Sequence, residues 1–172
     1  MPAGMPLLVT GIGKVAAAAA VARALAQQGR PEELIVVNIG TAGSLRPHIA
    51  GLLVPTTVLN HDISADVLAQ LGFPVRAAID LPGGDGTVLA TGDSFVTEAS
   101  LRAALAARAA IVDMEGFAVA WACREAGVAC RVVKHVSDDA DEGALDWPHR
   151  VDASARALGR WLESELGPEG PT

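Results

Sequence analysis

The sequence predicts an α/β domain of three layers: one central twisted sheet, mostly parallel or mixed, flanked by helices. Three observations carry this. A strand–helix–strand succession fills the first 40 residues, and two strands joined through a helix pair in parallel. The apolar fraction is 51% while aromatics make up only 3%. Ala, Val, Leu and Gly must therefore fill the interior, which suits close helix-on-sheet packing. Finally, the polar residues capable of chemistry gather where strands end, the place where open α/β sheets bind ligands.

Taken in order, "PLLVTG" (6–11) is a short apolar run closed by Gly and reads as a buried strand. "GKVAAAAAVARALAQQG" (13–29) is Ala-rich and helical, stopped by Gly29 and Pro31. "ELIVVNIG" (33–40) is a β-branched strand leading into a Gly-rich loop, "GTAGSLRPHIAG" (40–51). "LLVPTTVLNHD" (52–62) reads as one strand, edge-placed or bent by Pro55. Residues 63–73 suit a short helix or a loop, and "DLPGGDG" (80–86) a turn before the strand "TVLATGD" (87–93). A helix over 97–109 has Thr97 as a candidate N-cap. The strand "AIVDM" (110–114) runs into the helix 115–127, which Gly127 ends. The strand opening at 129 leaves into an acidic loop, and an amphipathic helix over 152–167 closes the fold. The expected organisation is one domain over 1–166 with a disordered Gly/Pro tail at 167–172.

Composition narrows the function. The net charge is −7 and no Lys/Arg cluster occurs, which argues against nucleic-acid binding by phosphate neutralisation. The two cysteines, Cys123 and Cys130, have neither metal-site spacing nor the number for a disulfide framework, and read as buried thiols of a reducing cytoplasm. His61, His135 and His149 are scattered, with no zinc spacing. The Ala-rich stretch is interrupted by Arg23 and too short to span a bilayer. The start lacks the basic and apolar regions of a signal peptide. A cytoplasmic protein acting on a small molecule is the expectation, without metal, membrane or nucleic-acid partner.

The strand ends carry Gly40-Thr41-Ala42-Gly43, His61-Asp62, Gly92-Asp93-Ser94-Phe95, Asp113-Met114-Glu115 and Ser137-Asp138. "GIGKV" (11–15) looks like half a phosphate loop but lacks the Gly-Lys-Ser/Thr ending. "GTAG" is either a tight turn or a place where a ligand approaches the backbone. Asp113 and Glu115 precede an uncharged apolar helix. One acid suits the helix N-terminus, yet two in so apolar a segment need partners. Asp139 and Glu142 suit a solvated loop, whereas Asp138, just beyond a buried strand, is set to enter a cleft. The absence of a Gly-x-Ser-x-Gly elbow disfavours a serine hydrolase.

The ordered set "TGIGKVAAAAA", "VVNIGTAGSL", "NHDISADV", "ATGDSFV", "VDMEGFAVAWAC" and "VVKHVSDDADE" resembles the purine nucleoside phosphorylase/nucleosidase superfamily, and within it the methylthioadenosine/S-adenosylhomocysteine nucleosidases. The resemblance runs from about residue 9 to 165. It implies cleavage of an N-ribosidic bond, without a cofactor. Asp138 matches the acid that protonates or hydrogen-bonds the purine at N7, steadied by Ser137. A partly dry pocket is where an Asp can serve as a general acid. Glu115 matches the carboxylate that grips the ribose hydroxyls and favours an oxocarbenium-like transition state. Met114 would pack on the sugar, Phe95 and Val96 would bind the base, and Thr41, with Ala42 and Gly43, would face the nucleophile.

Phosphorolytic relatives carry Arg where this chain has Asn38, and the hydrolytic branch carries Asn, so the resemblance implies water as nucleophile. Lys134 stands where relatives often have Arg, and Lys lacks the bidentate fork. The family's first strand and the water-activating acid after it have no counterpart in this sequence, so a shortened start is expected. A purine nucleoside phosphorylase, a futalosine hydrolase and a non-catalytic nucleoside-binding homologue are the alternatives. The resemblance also implies a homo-oligomer, a dimer first and a hexamer second, in which His61 or Asp62 reaches a partner's site.

Overall fold

The computed structural model describes residues 5–138, 140 and 147–166. Its helices are α1 (Lys14–Ala26), α2 (Ala65–Gln70), α3 (Ala99–Ala106), α4 (Gly116–Glu125) and α5 (Trp147–Leu166). The strands are β1 (Ile35–Ser44), β2 (Leu52–Leu53), β3 (Thr57–Asn60), β4 (Ala78–Asp80), β5 (Val88–Thr91), β6 (Ile111–Asp113) and β7 (Ala129–Asp138). Among the described residues the strands form one mixed sheet in the order β2-β7-β1-β6-β5-β3-β4. The β1–β7, β5–β6 and β3–β5 pairs are parallel and the other three antiparallel.

Side-chain alternation shows the layers. Leu89 and Ile111 belong to one buried cluster with α1 and α4, while their neighbours Ala90 and Val112 belong to another with Leu105 of α3. Successive residues of a strand point to opposite faces, so helices cover both faces of the sheet. α1 buries Ala17, Ala20, Val21 and Leu25, a one-sided helical stripe, and packs on α4. α4 buries Phe117 through Ala120 together with Ala122 and Cys123, so it is scaffold and lacks a polar face over most of its length. α5 packs on β7 and β1. His135 Nδ1 lies 3.0 Å from Ser154 Oγ, and the Arg131 guanidinium stacks 4.9 Å from the Trp161 ring.

Five sequence expectations are corrected. Residues 6–11 form no strand, and Leu7, Leu8 and Val9 are exposed, Val9 to 83%. β6 pairs with β1 only at Gly43 and Ser44, and the run 6–11 does not pair along the rest of that edge; it leads instead into α1 through Gly11 and Gly13, both at positive φ. "GTAG" is no loop: it continues β1, because β7 supplies a parallel partner as far as Ala42 opposite Val136. The stretch 52–62 is two strands on opposite sides of the sheet. β2 pairs with β7 and β3 with β5, and the break contains Pro55, which has no N–H for a ladder. Asp80, expected to open the turn 80–86, instead closes the edge strand β4. Thr97 does not cap α3; the residue in that position is Glu98, which makes no side-chain cap bond. Asp139, Glu142 and the tail 167–172 lie outside the described residues.

Candidate active site

The corner between β6 and α4 explains its two acids. Glu115 is the N-cap residue of α4, yet its side chain makes no cap bond. That task falls to two side chains behind it. Asp113 Oδ2 accepts the Gly116 N–H at 2.9 Å, and Thr91 Oγ1 accepts the Phe117 N–H at 3.0 Å. Thr91 also donates its hydroxyl to Asp113 Oδ1 at 2.6 Å. The third partner of Asp113 is the Lys134 ammonium, 2.8 Å from Oδ2, in an ion pair whose side chains are 2% and 1% exposed. The Lys134 ammonium lies 3.2 Å from where a Cβ on Gly40, the opposite residue of β1, would stand, closer than an ordinary contact, so glycine there leaves it room. With the helix end satisfied by Asp113 and Thr91, the Glu115 carboxylate is released towards the strand ends.

There Glu115 Oε1 accepts the Gly13 N–H at 2.8 Å. Burial pushes the Glu115 carboxyl above its ordinary value. The Gly13 bond opposes that shift, the Asp113 charge adds to it, and the Lys134 charge opposes it. Asp138 sits across the cavity at the end of β7. Its Oδ2 accepts the Ser137 hydroxyl at 2.6 Å and its Oδ1 accepts the Ala140 N–H at 2.9 Å. A hydroxyl can donate or accept, so the Ser137 contact persists whether Asp138 is ionised or protonated. The β1–β7 register slips between Ala42 and Gly43, bringing Gly43 opposite Asp138. Such a bulge re-aims a side chain. A Cβ on Gly43 would stand 2.9 Å from Asp138 Oδ1.

These strand ends enclose a cavity of about 640 Å³, within the usual size of a small-molecule site. The structure brings all nine of the residues picked from sequence to its wall: Thr41, Ala42, Gly43, Phe95, Val96, Met114, Glu115, Ser137 and Asp138. Asn38 and Lys134 line it too, and Asn38 Oδ1 is buried without a hydrogen-bond partner. Phe95 is half exposed at the wall. Sequence reasoning did not find Ala155 and Leu158, which line the wall from α5. It also missed Thr91, whose partners are 22 and 26 positions away, and the Gly13 N–H. "GIGKV" is no phosphate cradle, since the Gly13 and Lys14 N–H groups are taken by Glu115 and by Asp93 Oδ1, the latter at 2.8 Å. Asp62 bonds within its own chain, to Lys14 and to the Asp93 N–H. Among the described residues no group of three or more His, Cys, Asp and Glu is arranged to hold a metal ion, and no helix is long and apolar enough to cross a membrane.

A mixed sheet with carboxylates converging at its strand ends on a largely apolar cavity defines an α/β protein built to hold a small ligand. The chain belongs to the phosphorylase superfamily, whose family model matches residues 5–162. It is 31% identical over 153 residues to the aminodeoxyfutalosine nucleosidase of Helicobacter pylori, an alignment covering 75% of this chain and 66% of that protein. It is 36% identical over 164 residues to the futalosine hydrolase of Streptomyces coelicolor, covering 80% and 68%. Among solved structures, a mutant of the Helicobacter pylori nucleosidase MTAN with 5′-methylthioadenosine in the active site superposes with a TM-score of 0.79 at 28% identity. That match covers 91% of this chain and 77% of the other. The chain thus spans about two thirds of the length of the curated relatives it matches.

Proposed function

We propose that this protein hydrolyses the N-ribosidic bond of a purine nucleoside of the 5′-methylthioadenosine/S-adenosylhomocysteine type, giving free base and a ribose derivative. The observation that carries the reading is the pair of carboxylates, Glu115 and Asp138, lining one cavity from different strand ends. Bond cleavage builds positive charge on the sugar and negative charge on the departing base. Glu115 takes the ribose hydroxyls and favours the cationic sugar through its charge. Asp138, with Ser137, supplies the proton or hydrogen bond at N7 of the base. Phe95 and Val96 hold the base, Met114 packs on the sugar, and Thr41 with Ala42 and Gly43 faces the nucleophile.

Water rather than phosphate is the proposed nucleophile. Lys134 is the one Lys or Arg among the described residues of the cavity wall, and its charge is already matched by Asp113. A second substrate class is favoured by the relatives: two of those above are named for futalosine-type substrates. The proposal includes a cytoplasmic location and a homo-oligomer, dimer before hexamer. Exposed Val67, Leu71 and Phe73 on and after α2 offer apolar surface for a subunit contact. Release of free base from methylthioadenosine, S-adenosylhomocysteine, futalosine, inosine and adenosine, followed with and without phosphate, tests the reading. Hydrolysis without phosphate supports it, strict phosphate dependence replaces it with a phosphorylase, and ligand binding without any base release replaces it with a non-catalytic homologue.

A further inference from the structure

One cluster of charge outside the cavity wall is not used by the chemistry above. Lys14, the first residue of α1, turns its ammonium towards two strand ends. Nζ donates to Asn60 Oδ1 at 2.9 Å and to Asp62, and lies 3.8 Å from Asp93 Oδ2. The same residue's backbone N–H donates to Asp93 Oδ1, and the Asp93 N–H donates to Asp62 Oδ2 at 2.8 Å. Asn60 ends β3, Asp62 lies two residues beyond it, and Asp93 lies two residues beyond β5. The residue before Lys14 is Gly13, whose N–H holds Glu115. Gly13 has φ +90°, and a Cβ there would stand 3.1 Å from Asp93 Oδ1, so the turn admits this arrangement only with glycine. Asp93 is two residues from Phe95 and three from Val96.

We propose that Lys14 is a positioning residue: its ammonium binds the ends of β3 and β5 to the first turn of α1, and so fixes both the loop carrying Phe95 and Val96 and the Gly13 N–H that holds Glu115. The roles given to those three residues rest on the proposed nucleosidase reading; the clasp itself does not. Without the ammonium, Asp62 and Asp93 repel one another, the Asp93 loop loses its anchor, and the start of α1 drifts with it. Asp62 reports the same pull: partial burial works to raise its carboxyl, but the Lys14 hydrogen bond, the Asp93 N–H and the Lys14 charge hold it below its ordinary value.

The test compares the wild type with Lys14→Met and Lys14→Arg by steady-state kinetics on whichever nucleoside is cleaved, and by amide hydrogen exchange. For Lys14→Met we expect KM to rise about tenfold or more with kcat much less affected, because misplaced binding groups weaken substrate capture. Lys14→Arg, which keeps the charge, should recover most of that loss. Exchange of the Lys14 and Asp93 amides should quicken about tenfold or more in Lys14→Met while α4 amides stay protected. If kcat/KM of Lys14→Met stays within about twofold of wild type, or if Met and Arg variants lose activity equally, the proposal is overturned. If the wild type cleaves no nucleoside, the nucleosidase reading fails, and the exchange measurement alone decides the clasp: unchanged Lys14 and Asp93 amides overturn it.

Discussion

The ammonium of Lys134 and the carboxylate of Asp113 meet at 2.8 Å in the interior, joining β7 to β6 two residues before Glu115. Asp113 also closes the start of α4 and accepts from Thr91, so three donors share one buried carboxylate. Removing one partner of such a pair strands the other. Lys134→Met should cost about 3–5 kcal/mol in urea unfolding, and Asp113→Asn a similar order because the ammonium stays buried without a counter-charge. The double variant Lys134→Met/Asp113→Asn should lose clearly less than the sum, since Asn still accepts from Thr91 and no charge remains uncompensated. Strict additivity would mean that the two groups do not stabilise one another.

That pair also marks how far the sequence could be read. The limits of α1 and α4 were legible because Gly13, Gly29, Pro31 and Gly127 punctuate them locally. The strand ends were legible as a site because Asp113, Glu115 and Asp138 are expensive at the mouths of apolar elements. What failed was non-local. "PLLVTG" has the pattern of a buried strand, but a strand is completed by a pairing partner, and residues 6–11 pair with no described strand. "GTAG" has the composition of a loop, yet β7, more than 90 positions further on, pairs with it. The clasp of Lys14 joins residues 46, 48 and 79 positions away, a distance no local spacing encodes. The assignment of roles to the nine cavity residues came from family resemblance rather than from local pattern.

Acid should loosen the turn before β5. Asp85 accepts the Val54 N–H at 2.7 Å and the Thr87 N–H at 2.8 Å. Partial burial works to raise its carboxyl, but hydrogen bonds from Thr87 and Val54 outweigh that and hold it below the ordinary 3.8. A lowered folded value means that its contribution to stability is fully present above 3.8 and is lost as pH falls below that, through the folded value. Asp85→Asn, which can still accept, should be less stable than wild type at neutral pH, and the difference should shrink as pH drops into that window. A difference independent of pH would show that Asp85 does not titrate differently on folding.

Glu115 predicts the opposite slope. Its carboxyl is raised by burial, so below the ordinary 4.5 both folded and unfolded chains hold the proton and nothing is lost. As pH rises from there through the folded value, the unfolded chain ionises first and stability falls. Glu115→Gln keeps an oxygen for the Gly13 N–H and removes that loss. The variant should therefore melt higher than wild type at neutral pH, with the gain vanishing at about pH 4. Nucleoside cleavage should fall by about a hundredfold or more, because the charge that favours the cationic sugar is gone. Thermal melts across pH paired with base-release assays check both halves. A variant that is both less stable at pH 7 and fully active would contradict the assignment.

Gly43 offers a test of Asp138 that leaves every polar group in place. A methyl group on Gly43 would meet Asp138 Oδ1 and the Ala140 Cβ, each at 2.9 Å. The carboxylate is held by Ser137 and Ala140 on its other contacts, so it must turn or the bulge must open. Gly43→Ala should cost about 1–3 kcal/mol as an overpacked site. It should also lower kcat/KM by about a hundredfold through misplacement of the acid. If Gly43 acts through Asp138, the substitution should do little further harm to activity in an Asp138→Asn background, because residues acting as a unit are not additive. A full second loss in that background would instead mean that the methyl group blocks the cavity itself, and the role of Gly43 would be to admit the substrate rather than to aim the carboxylate.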